Sequence, residues 1–124
     1  MTGCLFCNID TEKIIAENEH AYAIRDGFPV TSMHSLIIPK RHVVDYFGLS
    51  RSELTACDDL IKTLRDDILH ADPLVEGFNI GMNAGEVAGQ TVFHCHIHLI
   101  PRRTGDVENP TGGIRNVIPG KGAY

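Results

Sequence analysis

The sequence has no apolar run near the ~20 residues that cross a bilayer as a helix. Its first residues show no basic stretch followed by an apolar one, so neither leader nor anchor is predicted. Positive charge is not in excess either: eleven Lys and Arg face sixteen Asp and Glu, a net charge of −5. That balance argues against a nucleic-acid polymer as partner, although a local pocket can still hold a small anion. Low-complexity tracts, internal repeats and linkers are also missing. These absences predict a soluble, cytoplasmic protein with no membrane or nucleic-acid partner. At 124 residues the chain is long enough to bury one core of its own.

Four cysteines are present. Cys57 falls in a helical pattern and Cys95 in a strand, each where a small apolar residue would serve. Cys4-Leu5-Phe6-Cys7 is a Cys-x-x-Cys knuckle. In a reducing compartment it reads as a metal or redox pair before it reads as a disulfide.

Patterning divides the chain further. Asp10 or Thr11 can cap a short helix over residues 12–16. Residues 21–24 read as a strand, 25–29 as a turn cluster and 35–38 as a second strand ended by Pro39; the two strands predict an antiparallel hairpin. Ser50-Arg51-Ser52-Glu53 is a capping box. After it Leu54, Cys57, Leu60 or Ile61, Leu64 and Ile68 form one apolar stripe, and Pro73 ends the helix near Asp72. This long helix covers about 20 residues and ~30 Å. Residues 78–82 are a third strand, 83–90 a Gly-rich loop and 92–100 a fourth strand. A tail rich in Gly and Pro follows from Arg102, with an apolar patch at Val117 and Ile118. Hairpin, single helix, hairpin predicts an α+β domain.

Strand alternation puts His94, His96 and His98 on one face and Phe93, Cys95, Ile97 and Leu99 on the other. The apolar face must pack on the core, which leaves the histidine face as the open one. Imidazole can be nucleophile, acid, base or metal ligand near neutral pH, and the spacing permits all of these, including a catalytic metal held by the three histidines. Gly89-Gln90-Thr91 lies directly before them. A bare backbone there can approach an anion, and Gln90 and Thr91 bring donors suited to phosphate oxygens.

His94-Cys95-His96-Ile97-His98-Leu99-Ile100 resembles the signature of the histidine triad (HIT) superfamily. The similarity also takes in Asp26, His34, residues 35–42, Asn83 and residues 88–92, and so runs from Cys4 to about Arg103. The flanks resemble the bacterial branch related to diadenosine polyphosphate hydrolases. The resemblance implies a HIT fold: an antiparallel sheet of about five strands with one long and one short helix. It implies a histidine-triad domain over residues 1–105 and a tail, 106–124, packed on that domain or on a dimer partner.

For chemistry, the resemblance implies attack by His96 on the α-phosphorus of a dinucleoside polyphosphate, through a nucleotidyl-histidine that water hydrolyses. Nucleoside phosphoramidates are the neighbouring substrate class. A purine nucleotide-binding adaptor with incidental activity is the alternative. His98 would hold phosphate oxygens or assist the leaving group, and His34 would support the histidines. Asn83, Gly89, Gln90 and Thr91 would line the phosphate site. Asp26 would bind ribose hydroxyls, though an Asp before Gly27 is equally a turn residue. Leu5, Phe6, Ile9 and Ile24 would wall the adenine or guanine pocket, or serve as core. Cys4, Cys7, His42 and His94 match a structural Zn2+ site of some members, with no metal needed for chemistry. A homodimer with sheets continued across the interface is implied as well.

Overall fold

The computed structural model describes residues 1–124. Asp10 caps a helix start by accepting from the Glu12 N–H, but that helix is a single 3-10 turn, Thr11–Lys13. Ile14 and Ile15 then leave it, because β-branched side chains are stiff at χ1 and crowd a helix. They open strand β1 (Ile14–Glu17), where burial alternates, so the short helix over 12–16 is corrected to a turn and a strand. Asn18 shapes the next turn. Its Oδ1 accepts from the His20 and Ala21 N–H groups, and its Nδ2 donates to the Ala56 carbonyl of the long helix.

Strands β2 (Ala21–Arg25) and β3 (Ser35–Pro39) pair antiparallel. Helix α1 (Arg51–Ala71) starts on the Ser50–Glu53 capping box and ends at Asp72. Strands β4 (Val75–Gly81) and β5 (Ile97–Arg103) complete a five-stranded antiparallel sheet of order β1-β2-β3-β5-β4. The architecture is the α+β arrangement the patterning predicts. Its fourth predicted strand is shorter than expected, because the ladder begins at Ile97. Residues 92–96 approach it by another path, anchored where the Cys95 N–H donates to the Val43 carbonyl at 2.7 Å.

The sheet has two unlike faces. On one, Ala21, Ala23, Ile37, Ile97 and Leu99 meet Ala56, Cys57, Leu60, Leu64 and Ile68 of α1. Burying each large aliphatic there contributes about 1.5–3 kcal/mol. Burial pushes the Cys57 thiol up to about 12 and the Cys95 thiol to about 11, so both behave as inert core residues. On the opposite face Tyr22, Ile24, Leu36 and Ile38 cluster with Phe6. Leu36 pairs with His98 and Gly81 lies on its other side, which sets His98 on this second face.

Candidate active site

The histidines are ordered by hydrogen bonds that end on the main chain. His96 Nδ1 lies 2.8 Å from the His94 carbonyl oxygen, which can only accept. The His96 proton is therefore on Nδ1, and Nε2 carries a free lone pair. The Val30 N–H donates to His34 Nδ1 at 3.1 Å, so neutral His34 holds its proton on Nε2. That N–H donates to His98 Nδ1 at 2.9 Å, which leaves the His98 proton on its own Nε2. One ring thus offers a lone pair and the adjacent ring a donor, with centroids 5.3 Å apart.

Electrostatics favours the neutral forms. Burial pushes His34 below its ordinary value, with Asp26 pulling the other way. Burial also lowers His98, assisted by the neighbouring His96 and His34 and opposed by Asp26. Asp26 Oδ2 stands 3.4 Å from His34 Nε2 and 3.9 Å from His98 Nδ1, while its Oδ1 accepts from the Phe28 N–H at 2.9 Å. Asp26 is thus both the turn residue and a partner of the histidines.

His96 and His98 open into a cavity of about 890 Å³. Leu5, Phe6, Ile9, Ile24 and Leu36 give it an apolar end, and Asn83, Gly89 and Thr91 form the rim beside the histidines. Asp26 and His34 line it too. Lys13, Phe28, Val30 and Val92 are lining residues that sequence reasoning missed. Phe28, 92% exposed, was legible only as part of a turn cluster. Gln90 departs from expectation: it is buried, and its Nε2 donates to the Val44 and Val92 carbonyls while Oε1 accepts from the Gly85 N–H. It holds the loop together instead of presenting donors to the cavity.

His94 departs further. It is fully buried rather than on an open face, and its Nε2–H donates to the Pro39 carbonyl at 2.8 Å. Its free Nδ1 stands 3.4 Å from Cys4 Sγ and 3.5 Å from Cys7 Sγ, and Cys7 Sγ is 3.2 Å from His42 Nδ1. All four donor atoms lie within 4.8 Å of one another. Zn–S bonds of about 2.3 Å and Zn–N bonds of about 2.0–2.1 Å at tetrahedral angles put S and N about 3.5 Å apart. The set is compatible with zinc. Burial opposes the Cys4 thiolate, but hydrogen bonds from Cys7 and the Phe6 backbone outweigh it and lower its pKa. With both His94 nitrogens engaged in this way, His94, His96 and His98 do not converge on a shared metal position.

A family model for the HIT domain matches residues 8–105. The chain belongs to the HIT family. An uncharacterized HIT-like protein of Mycoplasma genitalium is 41% identical over 106 residues, covering 82% of this chain and 74% of the relative. Among solved HIT structures, a Zn-bound histidine triad family protein from Mycobacterium smegmatis is similar at TM-score 0.76 and 34% identity, covering 84% and 78% of the two chains. A hypothetical histidine triad nucleotide-binding protein from Sulfolobus tokodaii is similar at TM-score 0.75 and 33% identity, covering 82% and 70%. HIT membership and these likenesses suggest a nucleotide-binding hydrolase or transferase for this HIT chain.

Proposed function

We propose that this HIT protein hydrolyses dinucleoside polyphosphates at an α-phosphorus, through a nucleotidyl intermediate on His96. The observation that carries the reading is the His96 Nδ1–H bond to the His94 carbonyl, which leaves Nε2 as a nucleophile facing the cavity. In the first step Nε2 forms a bond to phosphorus and the bridging P–O bond breaks, its electrons leaving with the departing nucleotide. His98 Nε2–H supports the departing oxygen. In the second step water adds to phosphorus, the P–N bond breaks, and His96 returns as the mononucleotide and a proton are released.

The remaining roles follow the geometry of the cavity. Leu5, Phe6 and Ile24 take the purine base, and Asp26, with lone pairs beyond those used by Phe28, accepts from ribose hydroxyls. Asn83, Gly89 and Thr91 meet phosphate oxygens, while Gln90 shapes their loop. Cys4, Cys7, His42 and His94 would hold structural zinc, which would brace His94 outside the reaction itself. The protein works in the cytoplasm as a homodimer. Because His98 presents a proton, an amine leaving group also fits, and nucleoside phosphoramidates are the second substrate class.

His96→Asn tests the mechanism. Turnover of diadenosine polyphosphates falls by roughly 10³-fold or more, and mononucleotide binding survives. Intact-mass analysis of the wild type during turnover shows a nucleotide adduct that the variant lacks. Near-normal hydrolysis by His96→Asn overturns the reading, and poor wild-type rates on every dinucleotide and phosphoramidate leave a nucleotide-binding adaptor.

A further inference from the structure

A second chamber adjoins the site described above. Beyond His98, strand β5 places Ile100 and Arg102 on the same face at about 7 Å per step, and Asn79 of β4 sits opposite Ile100. The C-terminal segment returns over this stretch through a 3-10 helix, Gly113–Val117, with the Ile114 side chain above Gly81. That segment is folded tightly on itself. Gly112 has φ 81, and a Cβ there would lie 1.8 Å from the Gly122 carbonyl oxygen, so only glycine fits. Arg115 donates to the Lys121 carbonyl and stacks 4.6 Å above the Tyr124 ring.

Between strands and tail lies a space of about 530 Å³, with Val30 as the sill it shares with the histidine cavity. Its polar walls include Thr31, Asn79, Asn109 and Asn116. The charged side chains on its walls are Arg102 and Asp106, and these neutralise each other. Both carboxylate oxygens accept from Arg102 at 2.8 Å, and Asn79 takes a further guanidinium hydrogen. The chamber is therefore polar but electrically balanced. The apolar end of the first cavity stands on β2 and β3, and this chamber stands on β5 and β4, so His98 lies between the two.

We propose that this chamber is the subsite for the departing half of the substrate, and that it takes a neutral hydrogen-bonding group, namely a second nucleoside. The assignment rests on the hydrolase reading for its orientation. A terminal phosphate finds no unpaired cation among these walls, whereas base and ribose edges find amide donors and acceptors beside apolar surface. The chamber thus selects dinucleotides over mononucleoside polyphosphates of equal phosphate count.

Titration calorimetry with the full-length protein tests this, using methylene-bridged, non-hydrolysable analogues of diadenosine tetraphosphate and of adenosine tetraphosphate. The wild type binds the dinucleotide about tenfold or more tightly than the mononucleotide. Two variants bring the pair towards parity and keep the mononucleotide affinity within about twofold. Asn116→Ala removes an amide from the wall. Val107→Trp fills the chamber from a rim position that is 47% exposed, leaving the tail's own contacts alone. Equal wild-type affinities overturn the assignment, as does an excess that persists in Val107→Trp or a loss that falls on both ligands alike. If the affinities behave as stated and the wild type hydrolyses neither parent compound, the hydrolase reading fails while the chamber assignment stands.

Discussion

His94 and His96 are joined through one hydrogen bond, from His96 Nδ1 to the His94 carbonyl oxygen at 2.8 Å. The His94 ring is itself fixed by Pro39 and stands beside Cys4 and Cys7. The backbone that orients the candidate nucleophile therefore belongs to a candidate metal ligand.

Metal content follows from this arrangement. Purified wild type is expected to carry about one zinc per chain by elemental analysis, and so is His96→Asn. His42→Ala loses the metal and melts at lower temperature, with turnover down about tenfold or more as His94 loosens. Zinc retained by His42→Ala and lost by His96→Asn places the ion elsewhere.

The pH profile reports the hydrogen-bond chain from His34 to His98. Protonating His98 Nδ1 removes the acceptor for His34 Nε2–H. Burial lowers both rings below their ordinary value of 6.5, so the limb that these two rings contribute to kcat/KM is expected below that value. Asp26 raises both rings, and Asp26→Asn therefore moves the limb to still lower pH, whatever it does to KM. A limb that moves to higher pH in Asp26→Asn contradicts the network.

Acid stability has a local cause at Glu53. Two hydrogen bonds from Arg41, at 2.8 and 2.9 Å, together with the Ser50 cap lower its carboxyl from 4.5 to about 2, against its burial. The stabilisation is present above the unfolded value near 4.5 and is lost as pH falls towards 2. A shift of this size corresponds to about 3 kcal/mol, which solvent around the half-exposed Arg41 head reduces to roughly 1–2 kcal/mol. Urea unfolding of Glu53→Gln is expected to show that loss at pH 7 and a flatter pH dependence between 5 and 2. Unchanged stability at pH 7 removes the pair from the account.

Assembly is read from the sheet edge. β4 ends the sheet with Ile80 half exposed, and an unpaired edge is a template for a second strand. If the proposed homodimer forms through this edge, light scattering at micromolar concentration is expected to give about twice the 13.6 kDa chain mass, and Ile80→Lys to shift it towards the single chain. A wild-type monomer contradicts the dimer.

Much of this was legible in local pattern. The capping box, the apolar stripe of α1 and the hairpin of β2 and β3 depend on neighbours a few residues away, and each appears where the pattern predicts. The Gly-rich loop is likewise present, and Gly89 has φ 96, a conformation that side chains disfavour. What pattern missed depends on distant contacts. His94 turns inward because Cys4 and Cys7, some ninety residues earlier, meet it there. Gln90 is of a type suited to phosphate, but the Val44 carbonyl, 46 residues away, claims its amide at 2.6 Å. The tail's closure over β4 rests on a glycine contact ten residues apart that no periodicity encodes.

The bonds that set the three ring tautomers begin at Pro39 O, His94 O and Val30 N, all main-chain atoms. Exchanging side chains at Pro39 and His94 leaves both carbonyl oxygens in place, and at position 30 only proline would remove the N–H. The triad's protonation pattern is therefore inherited largely with the path of the chain, with the His34 side chain as the one relay that carries it to His98. Transplanting the chemistry to another scaffold would require copying that path, since three histidines at alternate positions would arrive without their instructions.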